Sequence, residues 1–272
     1  MNRPFANNRW HEALAQLISS SHSDATAAAL TDAIGQAVKH EGTCLLVFHR
    51  SARPEVVHHT LEPAGARHYV DRYLAGPYLL DPLYEIAVRD DIPGICRFRD
   101  EAPDRFHSSE YYRLYCERTH LKDEMDFLLR VDESSTLVLV VGRRERRFSK
   151  SEVGRLHQIK AIVHAAMQKI WEHSAERGDG MRRDTAMHNR LTECLQNFGD
   201  GQLTQREQET TQLLLRGYST KAIARRLDIA PGTVMVHKRN LFRKLGITSQ
   251  YQLFSQFIEA LSGDSSYRRD GI

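Results

Sequence analysis

Between Ala230 and Leu245 the chain sets Met235, Val236, Lys238, Arg239 and Arg243 around a thin apolar seam, on a segment opened by Ala230-Pro231-Gly232-Thr233-Val234. A guanidinium can bond both acceptors of a guanine edge, and an apolar group can meet a thymine methyl. Cations and apolar tips on one helix therefore suit the major groove of B-DNA, which admits an α-helix. Arg239 is the leading base-reading candidate. A second reading stays open, because a basic amphipathic helix is often a solvated face and paired helices also occur in proteins that bind no DNA. Charge distribution favours the first. Residues 201–262 carry nine Lys or Arg against four Asp or Glu, whereas residues 1–200 carry 27 against 29. A near-neutral body with a basic end suits a polyanion-binding module.

The elements that must position these side chains can be read from local chemistry. Thr204 and Glu207 form a capping box, so a helix starts at Gln205 and ends near Arg216, where Gly217 can turn left-handed. Ser219 caps a second, two-turn helix whose Ile223 and Leu227 share one face, with Lys221, Arg225 and Arg226 turned outward. Asp228 and Ile229 make a tight turn, and Pro231 suits the first position of a third helix. In that helix Val234, Leu241 and Leu245, with His237 between them, face the core. A last helix near Gln250 to Leu261 puts Leu253, Phe254, Phe257, Ile258 and Leu261 on one broad side. That is more apolar surface than a small three-helix core needs.

Residues 203–247 resemble the LuxR-type helix-turn-helix. The likeness is carried by Leu203-Thr204 with Arg206-Glu207, Gly217, Ile223-Ala224, Leu227, Thr233-Val234, His237 and Lys244-Leu245-Gly246. The resemblance implies that Met235, Val236 and Arg239 face base edges, while Lys221, Thr233 and Lys238 approach the sugar-phosphate backbone. It also implies a homodimer, with Leu253, Phe257 and Leu261 pairing two copies on palindromic half-sites about 34 Å apart. Departures from the family pattern are Thr210 and Thr211 at aliphatic positions, Ala222 for an acid, Ala230 for a capping Ser and Met235 for a polar reader. The thinner packing and a lost cap, typically worth about 1 kcal/mol, predict a unit of marginal stability.

At 272 residues, with net charge +3, the chain is long enough for a second domain. Cys44, Cys96, Cys116 and Cys194 contain no CxxC pair, so neither a disulfide framework nor a zinc site is expected. No apolar run reaches the roughly 20 residues of a membrane span, and Met1 to Trp10 lacks a signal-peptide core. A cytoplasmic protein without membrane contact is the expectation.

The first part reads as helices at Trp10–Ser20 and Ala25–His40, strands at Cys44–Phe48 and Glu55–Thr60, and a helix at Ala64–Leu74. A short helix after Asp81-Pro82, a strand at Ile95–Phe98 and a helix at Ser108–Thr119 sharing Tyr112, Tyr115 and Cys116 on one face follow. Strands at Met125–Val131 and Leu137–Val141 and a long helix from Ser149 to Trp171 complete it. The fold class expected is therefore two domains: an N-terminal α/β sandwich with an antiparallel sheet, over residues 1–172, and a C-terminal all-α four-helix unit over 203–262. Residues 173–202 read as a polar linker with a helix inside it at Arg182–Asn197, and 263–272 as a tail. In order and length the first domain resembles the sensory domain of LuxR-type regulators, similar to GAF and PAS folds.

Tyr69, Tyr73, Tyr78 and Asp81-Pro82 resemble the aromatic residues and Asp-Pro pair of acyl-homoserine-lactone sensors, although a Trp common there falls near Tyr69 and the spacing to Asp81 is one residue short. The resemblance implies a small-molecule effector whose amide bonds Asp81 while the tyrosines line a slot; Tyr112, Phe127 and Cys44 are further lining candidates. In the alternative reading Asp81 caps the helix that Pro82 begins, helped by Glu85, and the aromatic residues are core. Adjacent His58-His59 point to opposite strand faces and, like His49, lack metal spacing. Arg143-Arg144 and Arg146-Arg147 read as a solvated charge run. No nucleophile elbow, phosphate-cradling glycine loop or zinc-protease helix is present, so no catalytic residue, metal or cofactor is expected.

The expected function is thus a DNA-binding transcriptional regulator controlled at its first domain by a small molecule or partner, in the manner of quorum sensing, with RNA polymerase as a further partner. An adaptor that docks its helical end on a polypeptide and a regulator with an unliganded structural first domain are the alternatives.

Overall fold

Five strands form: β1 (Gly42–His49) and β5 (Ser135–Arg143), both rich in β-branched residues and leucine, with β2 (Glu55–His59), β3 (Ile95–Arg97) and β4 (Asp123–Arg130). The computed structural model describes residues 5, 8–61, 70–176 and 184–262. The strands lie in the order β2-β1-β5-β4-β3, each neighbouring pair antiparallel. The expected strand pair β4–β5 is closed by the Asp132 carboxylate, which accepts from the Ser134 amide at 2.8 Å. Pairing of β1 with β5 runs unbroken from Gly42 to His49, so the slip against β2 at Leu45/Leu46 is a bulge of β2 alone.

The helices are α1 (Asn8–Ser19), α2 (Ser23–Ala37), α3 (Pro82–Ala87), α4 (Phe98–Glu101), α5 (Lys150–Glu176), α6 (Thr185–Gln196), α7 (Gln205–Leu215), α8 (Thr220–Leu227), α9 (Pro231–Lys244) and α10 (Gln250–Ser262). The described residues fall into two compact units. The first takes those of Met1–Val70, Ile86–Glu101 and His120–Asp184; the second takes Asp71–Glu85, Ala102–Thr119 and Thr185–Ile272.

In the first unit, α1, α2 and α5 cover one sheet face. Leu45, Val47, Phe127 and Leu139 meet the α5 stripe Leu156, Ile159, Val163 and Ile170, whose spacing of three, four and seven keeps it on one side of the helix. Burial of each such side chain contributes about 1.5–3 kcal/mol. The start of α5 is a capping box: the Ser149 amide donates to Glu152 Oε2 at 2.8 Å. The expected solvated charge run holds for Arg144, Arg146 and Arg147, which are exposed, and is corrected at Arg143. Arg143 is 1% exposed, because Glu152 meets it at 2.6 Å while also pairing with Arg146 at 2.8 Å. His49 is likewise core, its Nδ1 3.0 Å from the hydroxyl of Ser135.

The second unit holds the four-helix end, α7 to α10. Thr204 and Glu207 make the expected capping box, and Lys244 donates to Glu207 at 2.6 Å, tying the last turn of α9 to the first of α7. Gly217 (φ +88°) and Asp228 (φ +53°) take the left-handed turns that end α7 and α8. Ser219 caps α8, and Ala230 leaves α9 without a side-chain cap. Thr210 and Thr211, at positions expected to thin the packing, are fully buried; each hydroxyl donates to a carbonyl one turn back, Arg206 at 2.7 Å and Glu207 at 2.8 Å, so neither is left dry.

Two expectations change here. Leu253 and Phe257, expected to pair two copies, are 0% exposed within a single chain, and Leu261 lies beside Gly76. Their apolar side is met by α6, the helix foreseen as linker, which buries His188, Leu191 and Leu195, and by Phe198, whose ring stands edge-on to Phe257 at 5.5 Å. The helix expected over Ser108–Thr119 is an unbroken helical run over residues 110–119 whose middle, Tyr112–Cys116, widens to a π turn and whose end, Glu117–Thr119, tightens to a 3-10 turn, with Phe106–Ser108 a separate turn before it. The helix expected at Ala64–Leu74 lies partly outside the described residues; residues 70–74 are helical.

Candidate nucleic-acid interface

Helix α9 buries Val234 and Leu241 and turns its other sides outward. Met235 and Val236 are 63% and 43% exposed, and Thr233, Arg239 and Arg243 are exposed beside them. Large apolar tips in water are costly to keep unless a partner covers them. Here they stand next to guanidinium groups, so the surface matches base edges and thymine methyls better than it matches a protein core. Lys221 is exposed near the start of α8. Lys238 is half-buried on the same helix. Its Nζ lies 5.4 Å from the centroid of the Phe242 ring, and burial, then the charge of Arg105, hold its pKa below the usual lysine value.

The second constellation gathers around Asp81. Its Oδ2 accepts from the Tyr73 hydroxyl at 2.7 Å and its Oδ1 from the Leu83 amide at 2.9 Å, so the carboxyl caps α3 as one reading held. The Glu85 carboxylate also pairs with Arg226 at 2.7 Å. Burial pushes the Asp81 carboxyl up to about 6, against the hydrogen bonds of Tyr73, Leu83 and Tyr111. Tyr111 therefore joins Tyr73 on Asp81, whereas Tyr112 packs on Phe106 and His107. Tyr111 and Tyr115 stack at 5.5 Å. Their spacing of four was the available signal; the π turn shifts the inward face by one residue from the face expected to hold Tyr112. Tyr78 is fully buried, edge-on to Tyr84 at 5.2 Å, with its hydroxyl on His188. Tyr69 lies outside the described residues.

Phe127 and Cys44, the remaining pocket candidates, belong to the sheet of the first unit. Phe127 is 0% exposed in the helix-covered core, while Cys44, one residue from the core Leu45, points to the opposite face. They do not line one pocket. Burial, then the charge of Glu124, pushes the Cys44 thiol up to about 12, which keeps it unreactive.

The profile described as "Bacterial regulatory proteins, luxR family" matches residues 201–256. An HTH-type transcriptional regulator of the exeN 3' region of Aeromonas salmonicida is 31% identical over 157 residues, which span 56% of this chain and 80% of that protein. The monoamine regulon transcriptional regulator of Klebsiella aerogenes is 22% identical over 246 residues, 89% of this chain and 95% of its own. Among solved structures, the VqsR LBD domain from Pseudomonas aeruginosa aligns with a TM-score of 0.55 and 25% identity, over 61% of this chain and 99% of that one.

Proposed function

This chain belongs to the LuxR family of bacterial regulatory proteins, and from that premise we propose that it reads double-stranded DNA by laying α9 in the major groove. Met235, Val236 and Arg239 meet base edges, and Lys221, Thr233, Lys238 and Arg243 lie toward the backbone. The single observation that carries this reading is the exposure of Met235 and Val236 beside Arg239 on a helix held to its neighbours by the buried Val234 and Leu241. Two copies acting on a palindromic site complete it. With Leu253 and Phe257 occupied inside the chain, the half-exposed Tyr251 is the apolar side chain that α10 still offers to a second copy.

Within the second unit, Asp81 with Tyr73 and Tyr111 is the polar anchor for a small molecule that carries an amide. The likeness of 61% of the chain to the VqsR LBD domain supports a sensory role, and a buried carboxyl among phenols supplies an acceptor in an apolar setting. The capping bond to Leu83 favours a second reading, in which Asp81 is structural only.

Selection of bound duplexes from a random pool tests the first claim, followed by titration of Arg239→Ala and Lys238→Ala. Arg239→Ala should cost about 1–3 kcal/mol on the selected site and relax one base position, whereas Lys238→Ala should weaken all sequences alike. Affinity should fall steeply between about 50 and 200 mM salt. Equal loss on selected and random DNA for both variants would remove the base-reading role. Binding that ignores salt would point instead to a polypeptide partner.

A further inference from the structure

The second unit joins the DNA-binding helices to the segment Ala102–Thr119, and the bonds between them converge on the turn between α7 and α8. Ser219, the cap of α8, donates its amide to Asp104 Oδ1 at 2.9 Å and its hydroxyl to Asp104 Oδ2 at 2.5 Å. One residue on, the Arg105 amide donates to the Gly217 carbonyl at 3.2 Å. The approach is close: a Cβ on Gly217 would stand 3.1 Å from the Phe106 Cα and 3.2 Å from the Ser109 Cβ. The segment 104–109 thus lies as a strap along this turn. At the far end of α8, Glu85 holds Arg226 at 2.7 Å, and that guanidinium covers the Tyr218 ring at 4.6 Å.

The start of a helix presents amide donors and the positive end of its dipole, and here Lys221 and Arg225 add charge beside it. That is where a helix crossing the DNA backbone takes a phosphate oxygen. Asp104 puts both carboxylate oxygens on the same Ser219 donors. Burial pushes its pKa up, yet the Ser219 bonds and the charge of Arg225 outweigh this and keep it below the usual value, so the acid stays ionised. Two anions cannot share those donors. Meanwhile the face of α9 with Met235, Val236 and Arg239 stays exposed.

We propose that Asp104 is an internal stand-in for a DNA phosphate, and that the strap holds the helix-turn-helix in a restrained state whose base-reading face is open but whose backbone-binding end is occupied. The inference rests on the DNA-binding reading above. The chemistry makes the restraint reversible: a duplex phosphate competes directly for Ser219, and any effector that shifts the neighbouring Asp81–Tyr111 cluster bears on the same segment, since Tyr111 follows Asp104 by seven residues.

The test uses the full chain and a fluorescent 30-bp duplex of random sequence, with anisotropy read from about 50 to 200 mM salt. The variants are Asp104→Asn, Asp104→Ala and, as a control for loss of one negative charge on the same segment, Glu110→Gln, whose partner is Arg113. Both Asp104 variants should bind about five- to tenfold more tightly than the parent, a normal size for a coupling between two states. Their salt slopes should steepen by about one phosphate contact, and Glu110→Gln should match the parent. Circular dichroism confirms that each variant is folded, and Asp104→Asn keeps the shape of the side chain should Asp104→Ala fail to fold. Unchanged or weaker binding by the folded Asp104→Asn protein overturns the restraint, as does an equal gain from Glu110→Gln. If the parent and every variant ignore duplex even at about 50 mM salt, DNA binding itself falls, and the restraint with it.

Discussion

The phenol oxygen of Tyr78 lies 2.9 Å from Nδ1 of His188, and both side chains are buried. The pair joins the segment Asp71–Glu85 to helix α6 inside the second unit, with the rings 6.1 Å apart and nearly parallel. Tyr78→Phe keeps the ring and removes the hydroxyl. It should lower stability by about 1 kcal/mol, the usual net value of such a bond, with an unchanged denaturant slope in urea unfolding. A neutral result would mean that ring packing alone joins these elements.

Asp81 gives stability a distinctive pH dependence. Its ordinary value is 3.8 and burial raises it to about 6, so between those values the folded chain binds more protons than the unfolded chain. The contribution of Asp81 to stability therefore falls as pH rises through that window. Asp81→Asn removes the titration, so the stability of the variant relative to the parent should improve from pH 4 to pH 7. A constant difference across that range, measured by thermal unfolding, would place the carboxyl in water.

Glu152 behaves in the opposite sense. The Arg146 guanidinium, then Arg143 and Ser149, hold its carboxyl well below the ordinary 4.5 against the opposing effect of burial. Its stabilisation is complete above that ordinary value and is lost as pH falls below it. Glu152→Gln leaves the buried Arg143 without its countercharge and should cost about 3 kcal/mol at pH 7. The penalty should shrink toward pH 3. A loss below 1 kcal/mol would show that Arg143 finds another solution.

Two glycines in the DNA-binding end should respond with opposite signs. Gly217 has φ +88° and backbone close to its missing Cβ, so Gly217→Ala should destabilise by more than about 1 kcal/mol. Gly232 sits in the first turn of α9 with open space around it, so Gly232→Ala should stabilise by about 0.4–1 kcal/mol. Chemical denaturation of the two variants side by side checks the contrast.

The helices of the DNA-binding end were legible because their signals are local. Thr204 with Glu207, Gly217, Ser219 and Pro231 each act within one turn of backbone, and the structure starts and stops α7, α8 and α9 where those residues direct. The strands were legible for the same reason, since alternation and β-branching act over a few residues. Family membership also rested on residues close together in the chain, from Leu203 to Gly246.

What sequence spacing could not supply was the identity of partners brought from far along the chain. A π turn at Tyr112–Cys116 moved the inward face by one residue, so Tyr111 and not Tyr112 meets Asp81. Leu253 and Phe257 look like a dimer surface on an isolated helix, but α6 and Phe198 consume them. Arg143 reads as one cation in a surface run until Glu152 is folded against it. Asp104 and Ser219 stand 115 residues apart and share no pattern. Helix and strand formation depend on neighbours within a turn or two, whereas burial, ion pairing and the strap depend on chain segments that only folding makes adjacent.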